Sequence, residues 1–255
     1  MDNTLDNCAT QIVNVKLDSN VKYKRVIIKL SGEALASDAT GMGIDMKKLD
    51  YVCDEIADIR KLGVEVGIVI GGGNFWRGRQ ADEKMNRSTA DHMGMLATVM
   101  NALAIQDRLE QHGIPVRVQT ALTITKVAEP YILRKAVRHF EKGRIVIFAC
   151  GTGNPYFSTD TGAALRSCEI GADALLLAKN VDGVYDSDPK LNKGAKKFDK
   201  LSYMQVISMG LKAMDTTAIT MCMDNNVPII AFSLMEKDSI KKAVCGEQIG
   251  TVISK

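Results

Sequence analysis

Short runs that are apolar at nearly every position recur along the chain, separated by stretches with helical spacing. The runs are Arg25–Leu30 (RVIIKL), Val64–Ile70 (VEVGIVI), Arg144–Cys150 (RIVIFAC), Asp173–Ala178 (DALLLA) and Pro228–Phe232 (PIIAF). Shorter candidates lie at Val116–Gln119 and Gly250–Ile253. Strands that are apolar on both sides need cover on both faces, which is the condition of a parallel sheet between helices. Helical spacing fills the gaps at 46–61, 87–112, 129–142, 159–170, 215–226 and 238–244, and Ser202 with Gln205 predicts a capping box for one more short helix. In the first of these, Leu49, Val52, Cys53, Ile56 and Ile59 share one side, and Gly63 follows as a terminating glycine, as do Gly113 and Gly143 later. The expected fold class is α/β: a three-layer α/β/α sandwich around a mainly parallel sheet. Ligands of such sheets bind outside the carboxyl ends of the strands.

Those ends carry the unusual residues. After Ile70 comes Gly71-Gly72-Gly73-Asn74-Phe75-Trp76-Arg77-Gly78. Three glycines remove every Cβ from the turn, so backbone N–H groups can converge on an anion, and Arg77 can add a planar cation. A plain tight turn is the competing reading. Lys29 stands inside an apolar strand just before Ser31 and Gly32; it either reaches a transferring phosphate or is an edge-strand lysine facing water. After Cys150 runs Gly151-Thr152-Gly153-Asn154-Pro155-Tyr156-Phe157-Ser158-Thr159-Asp160, whose last three residues suit either an anion at a helix start or ordinary capping. The fourth segment is Lys179-Asn180-Val181-Asp182-Gly183-Val184-Tyr185-Asp186-Ser187-Asp188-Pro189, where Asp182-Gly183 is also a simple turn signal.

The whole chain narrows the options. It has 255 residues, 46% hydrophobic and 25% charged, with a formal net charge of +3. No global field therefore points to nucleic acid or a membrane, and any phosphate site must be local. Lys190, Lys193, Lys196, Lys197 and Lys200 read as a solvated loop. The six cysteines lack a Cys-x-x-Cys pair and the three histidines lack ligand spacing, so reduced cysteines in a cytoplasmic protein are expected, with no metal-ligating residues. Residues 1–22 are expected to form a flexible N-terminal extension rather than a signal peptide. In 87–112, Met93, Met95, Leu96, Val99, Met100, Leu103 and Ile105 leave little polar surface; that helix is central in the core, or packs on a second subunit, or both.

Taken together, KLSGE (29–33), GGGNFWRG (71–78), DHMGMLAT (91–98), GTGNPYFSTD (151–160) and VDGVYDSDP (181–189) resemble the bacterial uridylate kinases of the amino acid kinase superfamily, in the same order and from about Tyr23 onward. The resemblance implies transfer of the ATP γ-phosphoryl group to UMP in pyrimidine nucleotide biosynthesis, a homohexamer, GTP activation and UTP inhibition. It implies one kinase domain over 23–255, with 23–150 largely binding UMP and 151–255 largely binding ATP. Lys29, Arg77 and Asp160 would be catalytic: Lys29 and Arg77 against the phosphates, Asp160 organising lysines or metal. Gly72, Arg77, Asp91 and the run Thr152, Gly153, Asn154, Pro155, Tyr156, Phe157, Ser158 and Thr159 would hold UMP, with Asp91 on the ribose. Lys29, Leu30, Ser31, Gly32, Gly73, Arg77, Lys179, Asn180, Tyr185 and Asp188 would hold ATP. Some family members have one residue more before VDGVY, which leaves open whether Lys179 or Asn180 meets ATP. The segment Ser37–Ile44 is similar to a family loop associated with regulation.

A monophosphate acceptor is already anionic at neutral pH, since its second pKa is ~6. No general base is needed, and Mg²⁺ is expected to arrive with ATP and take few protein ligands. The competing readings are a kinase of the same fold acting on a small carboxylate or carbamate, and a nucleotide-binding sensor without catalysis.

Overall fold

Successive side chains of a strand point to opposite faces, and β1 (Arg25–Leu30) uses both. The computed structural model, which describes residues 15–76 and 84–255, places Val26, Ile28 and Leu30 in one buried cluster and Ile27 in another on the far face. Lys29 shares the second face, and this parity decides where its ammonium can go. The first cluster is completed by α1 (Met46–Lys61), α2 (Arg87–Gln111) and α7 (Ser239–Cys245). The second is completed by α3 (Leu133–Glu141), α4 (Thr159–Glu169), α5 (Tyr203–Ser208) and α6 (Thr216–Asp224). Helices thus cover both faces, and the three-layer α/β/α architecture is present.

The remaining strands are β2 (Glu65–Ile70), β3 (Val116–Thr120), β4 (Glu129–Pro130), β5 (Ile145–Ala149), β6 (Ala174–Lys179), β7 (Val184–Tyr185), β8 (Lys197–Phe198), β9 (Lys200–Ser202), β10 (Ile229–Ser233) and β11 (Thr251–Ser254). Eight of them join β1 in one nine-stranded sheet in the order β4-β3-β5-β2-β1-β6-β10-β11-β9. Every pairing in it is parallel except β10 with β11. The strands β5, β2, β1, β6 and β10 are neighbours at the centre, so their carboxyl ends open onto one shared rim.

The edge-strand reading of Lys29 fails here. Lys29 pairs with Val69 of β2 on one side and Leu177 of β6 on the other. The helix expected from residue 129 also begins later: Glu129 and Pro130 pair with Gln119 and Thr120, and α3 starts at Leu133. Pro130 disfavours the helical region for the residue before it and has no N–H to donate. The small antiparallel hairpin of β7 and β8, strand β9 and the 3₁₀ turn Gly32–Leu35 were not legible as periodic segments. The capping box of α5 is formed as its sequence suggests. Gly63, Gly113 and Gly143 follow α1, α2 and α3 with φ of +83°, +74° and +70°.

Helix α2 is buried on one side only. Met95, Val99, Ala102, Ile105 and Leu109 enter the core, while Met93, Leu96 and Met100 are exposed. Near the start of the described chain, Asp18 N–H donates to Leu62 O and Lys22 N–H to Val244 O.

Candidate active site

The loop after β1 and the loop after β2 touch through their backbones. Gly71 N–H donates to Leu30 O at 3.0 Å. A Cβ on Gly32 would lie 2.5 Å from Asn74 Oδ1, 2.7 Å from Gly71 O and 2.8 Å from Gly73 N. A Cβ on Gly72 would lie 2.7 Å from Ala97 Cβ and 2.8 Å from Gly94 O of α2. These glycines are required by space, since real Cβ contacts are never so short. Phe75 and Trp76 N–H groups donate to Gly72 O, and Trp76 Nε1–H donates to Ala90 O at 2.9 Å, so the turn is tied down on the helix it faces.

The face of β1 that carries Lys29 meets the N-terminus of α4. Lys29 Nζ pairs with Asp160 Oδ1 at 2.6 Å, both side chains being mostly buried. Ser158 caps this helix, its Oγ accepting from the N–H groups of Asp160 and Thr161 at 3.0 and 3.2 Å. The same Ser158 hydroxyl donates to Asp215, the N-cap of α6, and Thr161 Oγ1 donates to Asp215 at 3.0 Å. Asp215 Oδ1 in turn accepts from Ala218 N–H at 2.9 Å. Asp215 therefore locks α4 to α6 beside the lysine–aspartate pair. Sequence reading missed this residue; it stood out only as a helix start.

One cleft of about 370 Å³ is lined by Lys29, Ser31, Gly32, Gly71–Gly73, Asp91, Thr152, Tyr156, Phe157, Ser158 and Thr159, among others. Four segments far apart in sequence thus meet in one cleft. Asp91 accepts from Arg87 Nε at 2.9 Å and from Tyr156 N–H at 2.8 Å, and Tyr156 has a left-handed φ of +72°. A carboxylate has lone pairs to spare for a further hydroxyl donor. Gly153, Asn154 and Pro155 do not line this cleft; Thr152 and Asn154 bond to each other within the loop. Leu30 is fully buried and offers the rim only its carbonyl. Arg77 lies outside the described residues.

A second cavity of about 340 Å³ is lined by Lys179, Tyr185, Asp188 and residues 209–213. Between the two lies a third space of about 500 Å³, which shares Ser158 with the first and Lys179 and 210–213 with the second; Asp160 and Asp215 line it. The three make one trench, with the Lys29–Asp160 pair near its middle. Lys179 lines it, whereas Asn180 is exposed outside its lining. The Lys179 ammonium donates to the carbonyls of Lys212 and Ala213. Burial pushes its pKa below 10.5, with Asp160 opposing and the nearby Lys29 charge adding to the drop. At the far end Tyr185 OH donates to Asp182 at 2.6 Å, which raises the phenol pKa.

Among the described residues the trench holds no imidazole, and its one thiol, Cys150, is buried, which raises its pKa. Burial raises the Cys53 and Cys222 thiols to about 12, and both lie in the core. Backbone amides, two lysines and carboxylates that orient them suit charge stabilisation of a transferring phosphoryl group.

Comparison with known proteins gives the same direction. Residues 24–233 match the amino acid kinase family. The UMP kinase structure from Bacillus anthracis is similar, with 44% identity, a TM-score of 0.88, and coverage of 91% of this chain and 96% of that one. A UMP kinase from Ureaplasma parvum shows 36% identity, a TM-score of 0.86 and coverage of 91% and 99%. The uridylate kinase of Archaeoglobus fulgidus is more distant, at 26% identity, a TM-score of 0.69 and coverage of 90% and 99%. With the sheet order, the glycine-walled turn and this agreement over most of its length, the chain belongs to the amino acid kinase family.

Proposed function

We propose that this protein transfers the γ-phosphoryl group of ATP to UMP, giving UDP and ADP. The carrying observation is a row of three cavities with shared walls, a glycine-walled cleft at one end, the Tyr185 and Asp188 cavity at the other, and Lys29 paired with Asp160 between them. UMP occupies the first end: its phosphate lies on Gly72 and Gly73 with Arg77, its ribose on Asp91, and its base beside Thr152, Tyr156 and Phe157. ATP occupies the second, with Lys179 near its phosphates.

The acceptor oxygen is anionic before reaction, so the barrier is repulsion between polyanions and the alignment of the two reacting groups. Lys29 stabilises the charge that spreads over the transferring group. Asp160 holds Lys29 in place, and the α4 N-terminus adds its dipole beside it. Asp160 would be the carboxylate nearest a Mg²⁺ brought in with ATP, which would offset phosphate charge and needs few protein ligands.

The finer reading follows the family: a homohexamer with GTP as activator and UTP as inhibitor, working in the cytoplasm in pyrimidine nucleotide biosynthesis. The exposed Met93, Leu96 and Met100, on one face of α2, support self-association. No helix among the described residues is long and apolar enough to cross a membrane.

The test is ADP formation by the purified protein with UMP, CMP, acetylglutamate or aspartate, each with and without GTP and UTP. Turnover with UMP well above the others supports the reading. Turnover with a small acid, or nucleotide binding without ADP formation, overturns it.

A further inference from the structure

Two buried amides lie beneath the phosphate-binding turn. Asn74 follows the third glycine and Asn101 belongs to α2; both are completely buried. They form a reciprocal pair. Asn74 Nδ2 donates to Asn101 Oδ1 at 2.9 Å, and Asn101 Nδ2 donates to Asn74 Oδ1 at 2.7 Å. Each amide gives its other N–H to a main-chain carbonyl: Asn101 to Gly71 O and Asn74 to Gly43 O, both at 2.8 Å. The main chain of Asn74 repeats the second link, accepting from Gly43 N–H at 2.9 Å.

All four amide hydrogens are used, and the orientation is forced. Turning either amide over would face its oxygen to a carbonyl oxygen. An apolar pair of the same volume would fill the space but leave the Gly71 and Gly43 carbonyls with one donor fewer. Fully satisfied buried networks of this kind rigidify what they join. Here they join the first glycine of the turn, helix α2 and the segment around Gly43. The loop after β1 rests on the same amide, since a Cβ at Gly32 would meet Asn74 Oδ1.

We propose that Asn74 and Asn101 are positioning residues for the phosphate-binding turn, holding Gly71–Gly73 in the geometry that receives the acceptor phosphate. This rests on the reading that the UMP phosphate binds at that turn. Neither residue touches the reacting groups; neither lines the cleft. Their effect therefore falls on the acceptor and spares the donor cavity, whose wall is built from 179–189 and 209–213. The segment at Gly43 is part of the same device. Gly43 has φ +71° and open space around a Cβ, so a side chain there acts through backbone strain alone.

The experiment is steady-state kinetics of full-length Asn101→Ala, with thermal melting to establish folding. Loss of the three hydrogen bonds of the Asn101 amide, one of them to Gly71 O, should raise the UMP KM about fivefold or more, with the ATP KM changed less than about twofold. Equal change in both constants, or no change in either in a cooperatively folded variant, overturns the proposal. If Asn101→Ala does not fold, Gly43→Ala decides: a selective rise in the UMP KM supports the positioning role, and an unchanged or equally shifted pair of constants refutes it. Absence of any UMP-dependent ADP formation in the unsubstituted protein is a different result and speaks against the activity itself.

Discussion

The two ends of the trench are built in opposite ways. The acceptor end is walled by main chain: Gly32 and Gly72 pack where no Cβ fits, and buried amides stand behind them. The donor end is a loop held mostly by exposed side chains, with one buried bond, from Val184 N–H to Thr251 Oγ1 at 2.8 Å. Tyr185 and Lys197 bond Asp182, Asp186 accepts from Lys196 N–H, and Asp188 accepts from Lys190 N–H. Exposed bonds of this kind contribute ~0–1 kcal/mol each, whereas a buried donor or acceptor left alone costs ~1–3 kcal/mol. The cleft proposed for the acceptor is thus held by the core more completely than the cavity proposed for the donor. Substitutions should divide along that line.

The largest effect belongs to the centre. Lys29→Ala should lower kcat by about a hundredfold or more, because a preorganised charge opposite the transferring group is lost. Single-turnover rates measure it, and a near-normal rate removes Lys29 from catalysis. Next comes Gly32→Ala. Its methyl must displace Asn74 Oδ1 or the Gly71 carbonyl, and a shift approaching 1 Å there should cost about tenfold to a hundredfold in kcat/KM. Asp91→Asn should raise the UMP KM by about tenfold and leave the ATP KM near its starting value, since it weakens both the ribose contact and the grip on Tyr156. Equal shifts in the two constants would contradict the ribose role. The smallest effect is at the donor loop: Tyr185→Phe should alter the melting stability by less than ~1 kcal/mol.

Lys179 gives the comparison a pH dependence. Its ammonium loses its proton below pH 10.5 because burial disfavours the charge. Turnover should fall as pH rises through that lowered value, and Lys179→Arg should carry the alkaline limb upward. Stability moves the other way. Above the folded pKa and below the unfolded one, the unfolded chain holds more protons, so this residue's contribution to stability rises with pH. Rate and melting profiles measured on one sample check both signs.

Much of this was legible in the sequence because it is periodic or crowded. Apolar strands with helices between them imply a covered parallel sheet, and the positions of Lys29, Gly72, Thr152 and Lys179 on one rim follow from that topology, whereas Asp91 was named through the family resemblance alone. Besides the short segments β7–β9 and the 3₁₀ turn, three things were not legible. Pro130 makes a two-residue strand where helical spacing continued, a local restriction overriding pattern. Asp215 looked like any helix cap, and its bonds to Ser158 and Thr161 exist only once α6 packs on α4. Asn74 and Asn101 are 27 positions apart, and nothing in either segment announces that the two amides face each other in the core.

The most direct measurement is a crystal structure with UMP and a non-hydrolysable ATP analogue bound together. The account requires the UMP phosphate against the N–H groups of Gly72 and Gly73, the analogue's terminal phosphate within hydrogen-bond reach of Lys29, and the adenosine beside Tyr185 and Asp188. A monophosphate seated away from the triple-glycine turn, or two nucleotides whose phosphates do not meet at Lys29, would contradict it.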